Sequence, residues 1–369
     1  MASYPLRPEV LAFAPYTPGL SVEEIRQRFG LATVVKMASN ENPLGVSPLA
    51  RQAIHRAAPL VFRYAQAGNP RLVQAIARRH GLAPEHIVPG NGSDEIIDLL
   101  IRACPSPGRH CVVVSRSSFG LYSIFSRLCG VAVREVPRLP DFSFDWQGLR
   151  RAAEEGAALV FLTTPDNPSG HCPPAAEVAA FARSLPETCL LVIDEAYMDF
   201  ADDQAAFSLL PRLAEFPRTV FLRTFSKSFG LAGLRLGYGI LPLPLADALR
   251  RIHPPFSVNT LAEEAGIAAL EDDGFLRETL ATVREGRAFL ARRMEELGCR
   301  VFPSQANFIL FQPPPSQAAR DLFAALLARG LIIRPLESGY GLPDFLRVSV
   351  GTPAENALFL ALLQEILRP

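Results

Sequence analysis

Val220-Phe221-Leu222-Arg223-Thr224-Phe225-Ser226-Lys227-Ser228-Phe229-Gly230-Leu231-Ala232-Gly233-Leu234-Arg235 passes from a short β-rich run into a polar exit and then into glycine-punctuated sequence. An apolar run from Val220 to Thr224 that ends in hydroxyls, an amine and a guanidinium reads as a buried strand. It delivers its chemistry at the C-terminal end, where open α/β sheets hold their ligands. The pattern recurs upstream: Cys111 to Ser115, Ala132 to Val136, Leu159 to Thr163 and Leu190 to Asp194 are further strand candidates. Between them, Phe119 to Cys129 and Ala175 to Ser184 have helical length. Runs that are apolar throughout suit parallel strands covered on both faces. The expected fold is α/β, a mostly parallel sheet layered between helices.

Farther along, Leu261 to Leu297 is rich in Ala, Glu, Leu and Arg and reads as long helix leading to a second, smaller lobe. That lobe should contain strands at Ala306 to Phe311 and Phe345 to Val350 and a closing helix from Pro353 to Leu367. The expected division is residues 1–38 as an N-terminal arm that also joins the smaller domain, 39–250 as the large domain, and 251–369 as the small C-terminal domain. Leu241-Pro242-Leu243-Pro244 and the turn His253-Pro254-Pro255 bracket the second boundary.

Of the 37 basic residues only Lys36 and Lys227 are lysine. Arginine serves wherever a generic positive charge will do, but its guanidinium stays protonated and cannot attack a carbonyl. An amine that must lose its proton has to be a lysine, which singles out Lys227 at its strand exit. The 37 basic residues match 37 acidic ones, so no global field favours nucleic acid or an anionic membrane, and any anion must be bound locally. The first residues lack the apolar core of a signal peptide and no run reaches the length of a membrane span, so a soluble, cytoplasmic protein is expected. Six scattered cysteines without a C-x-x-C pair fit thiols in a reducing compartment, and no residues stand at zinc-ligand spacing, so no metal is expected.

Three more segments carry chemistry. Gly90-Asn91-Gly92-Ser93-Asp94-Glu95 precedes the apolar pattern Ile96 to Ile101; Ser93 or Asp94 suits a helix N-terminus whose free N–H groups hold phosphate, although an ordinary capped helix reads the same way. Asp194-Glu195-Ala196-Tyr197 puts a carboxylate at the end of Leu190 to Ile193, where it either meets a cation or caps the next turn. Thr163-Thr164-Pro165-Asp166-Asn167-Pro168-Ser169-Gly170 leaves another strand with Asn167 held between turn formers. Together, three strand exits and one helix start supply the groups that a pyridine aldehyde phosphate requires.

With Ala38-Ser39-Asn40-Glu41-Asn42-Pro43-Leu44-Gly45 before them, and Pro303-Ser304-Gln305-Ala306-Asn307-Phe308 and Leu346-Arg347-Val348-Ser349-Val350-Gly351-Thr352-Pro353 after them, these motifs resemble the class I/II aminotransferases of fold type I. Within that group the chain resembles the histidinol-phosphate aminotransferases along nearly its whole length. The resemblance implies a pyridoxal 5'-phosphate enzyme in which residues 39–250 bind the cofactor. Lys227 would carry it covalently and Asp194 would partner its pyridinium nitrogen. Asn167 and Tyr197 would touch its phenolic oxygen, and Phe119 would stack on its ring. Gly92, Ser93 and Asp94, with Thr224, Ser226 and Arg235, would hold the phosphate. Tyr64 would reach that phosphate from the other subunit of a homodimer. Arg347 and Arg334 would anchor the substrate anion, with Tyr16 and Asn42 lining the same space.

Two stretches depart from the family pattern. Ser117-Ser118-Phe119-Gly120-Leu121-Tyr122 stands where proline, threonine and an aromatic are common, so Phe119 offers no hydroxyl; Arg63-Tyr64-Ala65-Gln66 lacks the proline that often follows the tyrosine. The implied reaction is amino-group transfer between an amino donor, such as histidinol phosphate or glutamate, and a 2-oxo acid or ketone, with the Lys227 amine shuttling the proton at Cα. Two neighbouring activities are the alternatives: an aromatic amino-acid aminotransferase, and a threonine-phosphate decarboxylase. The Ser-Lys-x-Phe-Gly-Leu-Ala-Gly-Leu-Arg segment around Lys227 favours transamination over decarboxylation.

Overall fold

The computed structural model describes residues 4–11 and 22–368. After β1 (Val35–Lys36), seven strands build the main sheet: β2 (Ile87–Asn91), β3 (Cys111–Ser115), β4 (Ala132–Val136), β5 (Ala157–Thr163), β6 (Leu190–Asp194), β7 (Thr219–Thr224) and β8 (Leu236–Ile240). Their spatial order is β2-β8-β7-β6-β5-β3-β4, with β8 antiparallel to both neighbours and the other pairs parallel. The chain closes with β9 (Arg300–Val301), β10 (Phe308–Gln312), β11 (Leu331–Ile332), β12 (Arg334–Pro335) and β13 (Leu346–Ser349). Of these, β12-β13-β10-β9 form an antiparallel sheet and β11 pairs parallel with β1. The fold is α/β with a mostly parallel central sheet and a smaller second sheet, as expected.

Alternation along the strands shows why the sheet is apolar on both sides. On β6, Leu191 and Ile193 enter one core while Val192 enters another; on β7, Phe221 joins the first while Val220 and Leu222 join the second. Period-2 side chains that are apolar on both faces need helices above and below. Helices Leu121–Leu128 and Ser93–Ala103 cover the second face, and Trp146–Glu154 and Ala175–Ser184 lie on the first.

The expected long helix is two helices, Thr260–Glu271 and Asp273–Glu296. Asp272 interrupts it because its carboxylate has two other engagements: Oδ1 accepts from Phe275 N at 3.2 Å and Oδ2 from Ser47 Oγ at 2.6 Å. The second helix ties the two cores together, with Leu276 in the first and Val283, Leu290 and Met294 in the core of the smaller sheet. Strands β2 and β8 were not expected from the sequence. Pro89-Gly90 and Gly237, Gly239 depress strand propensity, yet Gly237 is required: a Cβ there would stand 2.3 Å from Ser93 N and 2.7 Å from Gly92 C. Among the described residues no helix is long and apolar enough to cross a membrane, and no group of His, Cys, Asp and Glu is placed to hold a metal ion.

Candidate active site

Parallel strands put their C-terminal ends on one edge of the sheet, and β2, β3, β5, β6 and β7 all end there; β8 starts there, directly after Arg235. The loops leaving this edge enclose a cavity of about 230 Å³. Ten residues singled out in the sequence line it: Ser93, Asp94, Phe119, Asn167, Asp194, Tyr197, Thr224, Ser226, Lys227 and Arg235.

At the end of β6, Asp194 is buried and its Oδ1 accepts from Ala196 N at 3.0 Å while Oδ2 accepts from Tyr122 Oη at 2.6 Å. Burial lifts its carboxyl to about 6 against these two hydrogen bonds. No lysine, arginine or histidine pairs with it among the described residues, whereas the buried Asp166 has Arg138 at 2.6 Å and the buried Glu195 has Arg223 at 2.5 Å. A buried carboxylate facing a cavity without a cation suits the pyridinium nitrogen of a ligand.

Past β7, Lys227 Nζ donates to Ser39 O at 3.2 Å and lies 5.6 Å from the centre of the Tyr197 ring. Burial, with the Arg347 and Arg235 guanidiniums, pulls its ammonium down to about 8, toward the neutral amine that can attack a carbonyl. Tyr197 Oη accepts from Asn40 Nδ2 at 3.1 Å, which leaves its own proton free to be donated. Asn167 Oδ1 accepts from Arg347 Nη1 and from Tyr340 Oη, so its Nδ2 remains as a donor for a phenolic oxygen.

The helix Ser93–Ala103 begins at Gly92, with φ +81 and no side-chain cap, so its first N–H groups have no side chain to satisfy them. Arg235 Nη2 donates to Asp94 Oδ2 at 3.1 Å beside that terminus, and a Cβ on Gly92 would meet Arg235 Nη2 at 2.8 Å. With the hydroxyls of Thr224 and Ser226 across the cavity, this corner is a phosphate cradle in its donor chemistry. The ring partner, the amine, the phenolic-oxygen donors and the cradle fit pyridoxal phosphate.

Other candidates lie outside the cavity. Arg347 is buried on β13 with its Nη2 donating to Ala38 O at 2.8 Å and its Nε without a partner. Arg334, half-buried, stands opposite it in the antiparallel register, and neither has a carboxylate partner among the described residues. Asn42 is occupied elsewhere: its Nδ2 donates to Ser228 O at 2.9 Å and to Thr279 Oγ1 at 3.2 Å. Tyr64 is 83% exposed and stacks on Phe256, with ring centres 4.7 Å apart. Tyr16 lies outside the described residues.

Sequence reasoning missed several supports. Asn40, at φ +55, is a type of residue tolerated in the left-handed region, and that was the signal available. Arg223 bridges Glu195 and, at 3.0 Å, Asp199, which accepts from Ser228 Oγ. One buried guanidinium thus connects the residue after Asp194 to the residue after Lys227.

Fold and cavity define a class: an α/β enzyme that seats a phosphorylated, ring-bearing aldehyde between a carboxylate and an amine at the ends of its strands. The chain matches the family model of aminotransferase class I and II over residues 32–363. It is 60% identical to the histidinol-phosphate aminotransferase of Nitratidesulfovibrio vulgaris (strain DP4) over 98% of this chain and 96% of that protein. It is 57% identical to the histidinol-phosphate aminotransferase of Oleidesulfovibrio alaskensis, over 98% and 95%. The solved structure of histidinol-phosphate aminotransferase from Sinorhizobium meliloti in complex with pyridoxal-5'-phosphate matches with a TM-score of 0.90 at 31% identity, across 100% of this chain and 98% of that one. The chain belongs to the class I and II aminotransferases and, within them, to the histidinol-phosphate aminotransferase family. Its cofactor is pyridoxal 5'-phosphate and its reaction is amino-group transfer.

Proposed function

We propose that this chain transfers an amino group between an amino donor, histidinol phosphate or glutamate, and a 2-oxo acid or ketone, in histidine biosynthesis. The observation that carries the substrate is the pair Arg347 and Arg334, which face each other across β13 and β12 without carboxylate partners, one of them joined to the cavity through Asn167. Two uncompensated guanidiniums repel unless an anion lies near, and a substrate phosphate or carboxylate supplies one. The relatives named above support phosphate.

When bound, pyridoxal phosphate supplies a carbonyl for the amine and an electron-withdrawing ring. Asp194 holds a proton on the ring nitrogen. Lys227 anchors the cofactor, and once released its amine moves the proton at the substrate Cα. Tyr197 and Asn167 orient the phenolic oxygen, Phe119 covers the ring, and Gly92, Ser93, Asp94, Thr224, Ser226 and Arg235 fix the phosphate. Residues 39–250 serve as the cofactor domain, while 251–369, with 1–38, bring the substrate arginines.

The working unit is a homodimer. Leu60, Val61, Phe62 and Tyr64 are exposed together beside Phe256, an apolar surface that a second copy would cover while carrying Tyr64 to its neighbour's phosphate cradle. We place the enzyme in the cytoplasm, where its six free thiols stay reduced.

The test is a half-reaction screen that follows the absorbance of the bound cofactor with histidinol phosphate, phenylalanine, tyrosine and threonine phosphate. Histidinol phosphate should react with the highest kcat/KM; faster reaction of phenylalanine would move the assignment to an aromatic aminotransferase.

A further inference from the structure

Tyr122 sits on the helix Leu121–Leu128 that follows β3, and is 1% exposed. Its ring stacks on Phe161 at 4.5 Å between centres and 11° between planes, and meets Phe119 edge-on at 5.5 Å. Its hydroxyl reaches two groups, Asp194 Oδ2 at 2.6 Å and Thr163 Oγ1 at 2.9 Å. An ionised carboxylate can only accept, so the phenol gives its proton to Asp194 and takes Thr163's hydroxyl proton on its own oxygen. Ser118 Oγ stands 3.2 Å behind Thr163 Oγ1 and also reaches Asp166 Oδ1 at 3.3 Å. The hydroxyls of Thr163 and Tyr122 are therefore ordered in one direction, toward Asp194, while Ser118 gives its proton to Asp166.

The charged surroundings make this donor matter. Burial is the largest influence raising the Asp194 carboxyl, and the nearby Asp94 and Glu195 push it the same way, while the Tyr122 and Ala196 hydrogen bonds oppose them. Asp166, paired with Arg138, also faces Tyr122. Burial and the Asp194 charge hold the phenol well above its ordinary range, so it remains a donor. We propose that Tyr122 is a positioning residue that keeps Asp194 ionised and turned toward the ring nitrogen of the cofactor. The proposal rests on the reading of Asp194 as the partner of that nitrogen.

The experiment measures the affinity of the cofactor-free protein for pyridoxal phosphate between pH 5 and 8 in wild type, Tyr122→Phe and Asp194→Asn. Phenylalanine keeps the stacking on Phe161 and removes one hydrogen bond. The cofactor's own titrations are common to all three proteins and cancel in the ratios. Losing a charge-assisted hydrogen bond should move the Asp194 midpoint up by about one unit, so the wild-type advantage over Tyr122→Phe should be near unity at pH 8 and approach about tenfold at pH 5. A ratio that is the same at every pH would mean that Tyr122 only packs, and would overturn the proposal. Asp194→Asn cannot titrate and should lose the affinity step that wild type shows near pH 6. If it keeps that step, the reading of Asp194 fails and the proposal with it; if it loses the step while Tyr122→Phe keeps the wild-type midpoint, the role of Tyr122 alone fails. Should Tyr122→Phe not fold, Thr163→Val removes the hydroxyl behind it and should shift the same midpoint upward by less; an unmoved midpoint there counts against the proposal.

Discussion

The guanidinium of Arg347, on the smaller sheet, donates to Oδ1 of Asn167, on the loop that leaves β5 of the larger one. Tyr340 Oη donates to the same oxygen at 3.2 Å. The two sheets are thus joined by side chains at the wall of the cavity. An anion that recruits Arg347 would compete for a guanidinium that already holds the Asn167 amide at the cavity wall.

Arg334 has no such engagement and is the better probe of substrate choice. Arg334→Ala should lower kcat/KM for histidinol phosphate by on the order of 2 kcal/mol, roughly thirtyfold, with a much smaller loss for phenylalanine. Steady-state kinetics on both substrates decide it, and equal losses would separate Arg334 from phosphate recognition.

Lys227→Ala should abolish turnover, with a loss of at least about 10² to 10⁴ from the proton transfer alone. Borohydride reduction of the wild-type protein loaded with pyridoxal phosphate, followed by peptide mapping, should mark Lys227. A label on Lys36, which pairs with Glu41 at 3.0 Å, would overturn the assignment.

Asp194 gives a stability prediction with a definite sign. Its folded carboxyl, at about 6, lies above the ordinary 3.8, so the folded chain binds that proton more tightly than the unfolded one. The stability this provides is complete below about pH 3.8 and is lost as pH rises through about 6. Asp194→Asn should therefore make the cofactor-free protein more stable than wild type at pH 7 to 8, by on the order of 1–3 kcal/mol, with the curves converging below pH 4. The same variant should react slowly in single turnovers. Thermal unfolding against pH checks the first point, and a variant less stable than wild type at pH 8 would contradict it.

Mixing Tyr64→Ala chains with Lys227→Ala chains should restore activity that neither parent shows, because one of the two sites in each heterodimer would then carry both residues. The control is Tyr64→Ala alone, which should be inactive. No recovery in a heterodimer confirmed by mass would rule out a shared site.

What could be read in advance was local. Four strands of the main sheet, Cys111–Ser115, Ala157–Thr163, Leu190–Asp194 and Thr219–Thr224, announce themselves because they are largely apolar on both faces, and the helix Pro353–Leu367 because Thr352 and Glu355 form a capping box. The cavity residues at the strand ends were visible for the same reason. Strand β8 was hidden because its glycines answer to a distant backbone, that of Gly92 and Ser93, rather than to strand propensity. Tyr122 and Arg223 were hidden because their partners, Asp194, Glu195 and Asp199, come from other elements. Asn42 sits in a motif that was legible, but its amide is committed to Ser228 and Thr279.

Both lysines touch one short segment: Lys36 pairs with Glu41, and Lys227 donates to the carbonyl of Ser39, with Ser39 and Glu41 themselves lining the cavity. The side-chain amines of this protein are therefore concentrated at the mouth of its working site. Acylating agents, reducing sugars and amine-coupling resins, which on most proteins scatter over many surface lysines, would here find their lysine targets beside the place where catalysis occurs. Immobilisation or fluorescent tagging through side-chain amines would amount to active-site modification, and attachment chemistry for this enzyme belongs on its exposed carboxylates rather than on thiols that burial holds protonated.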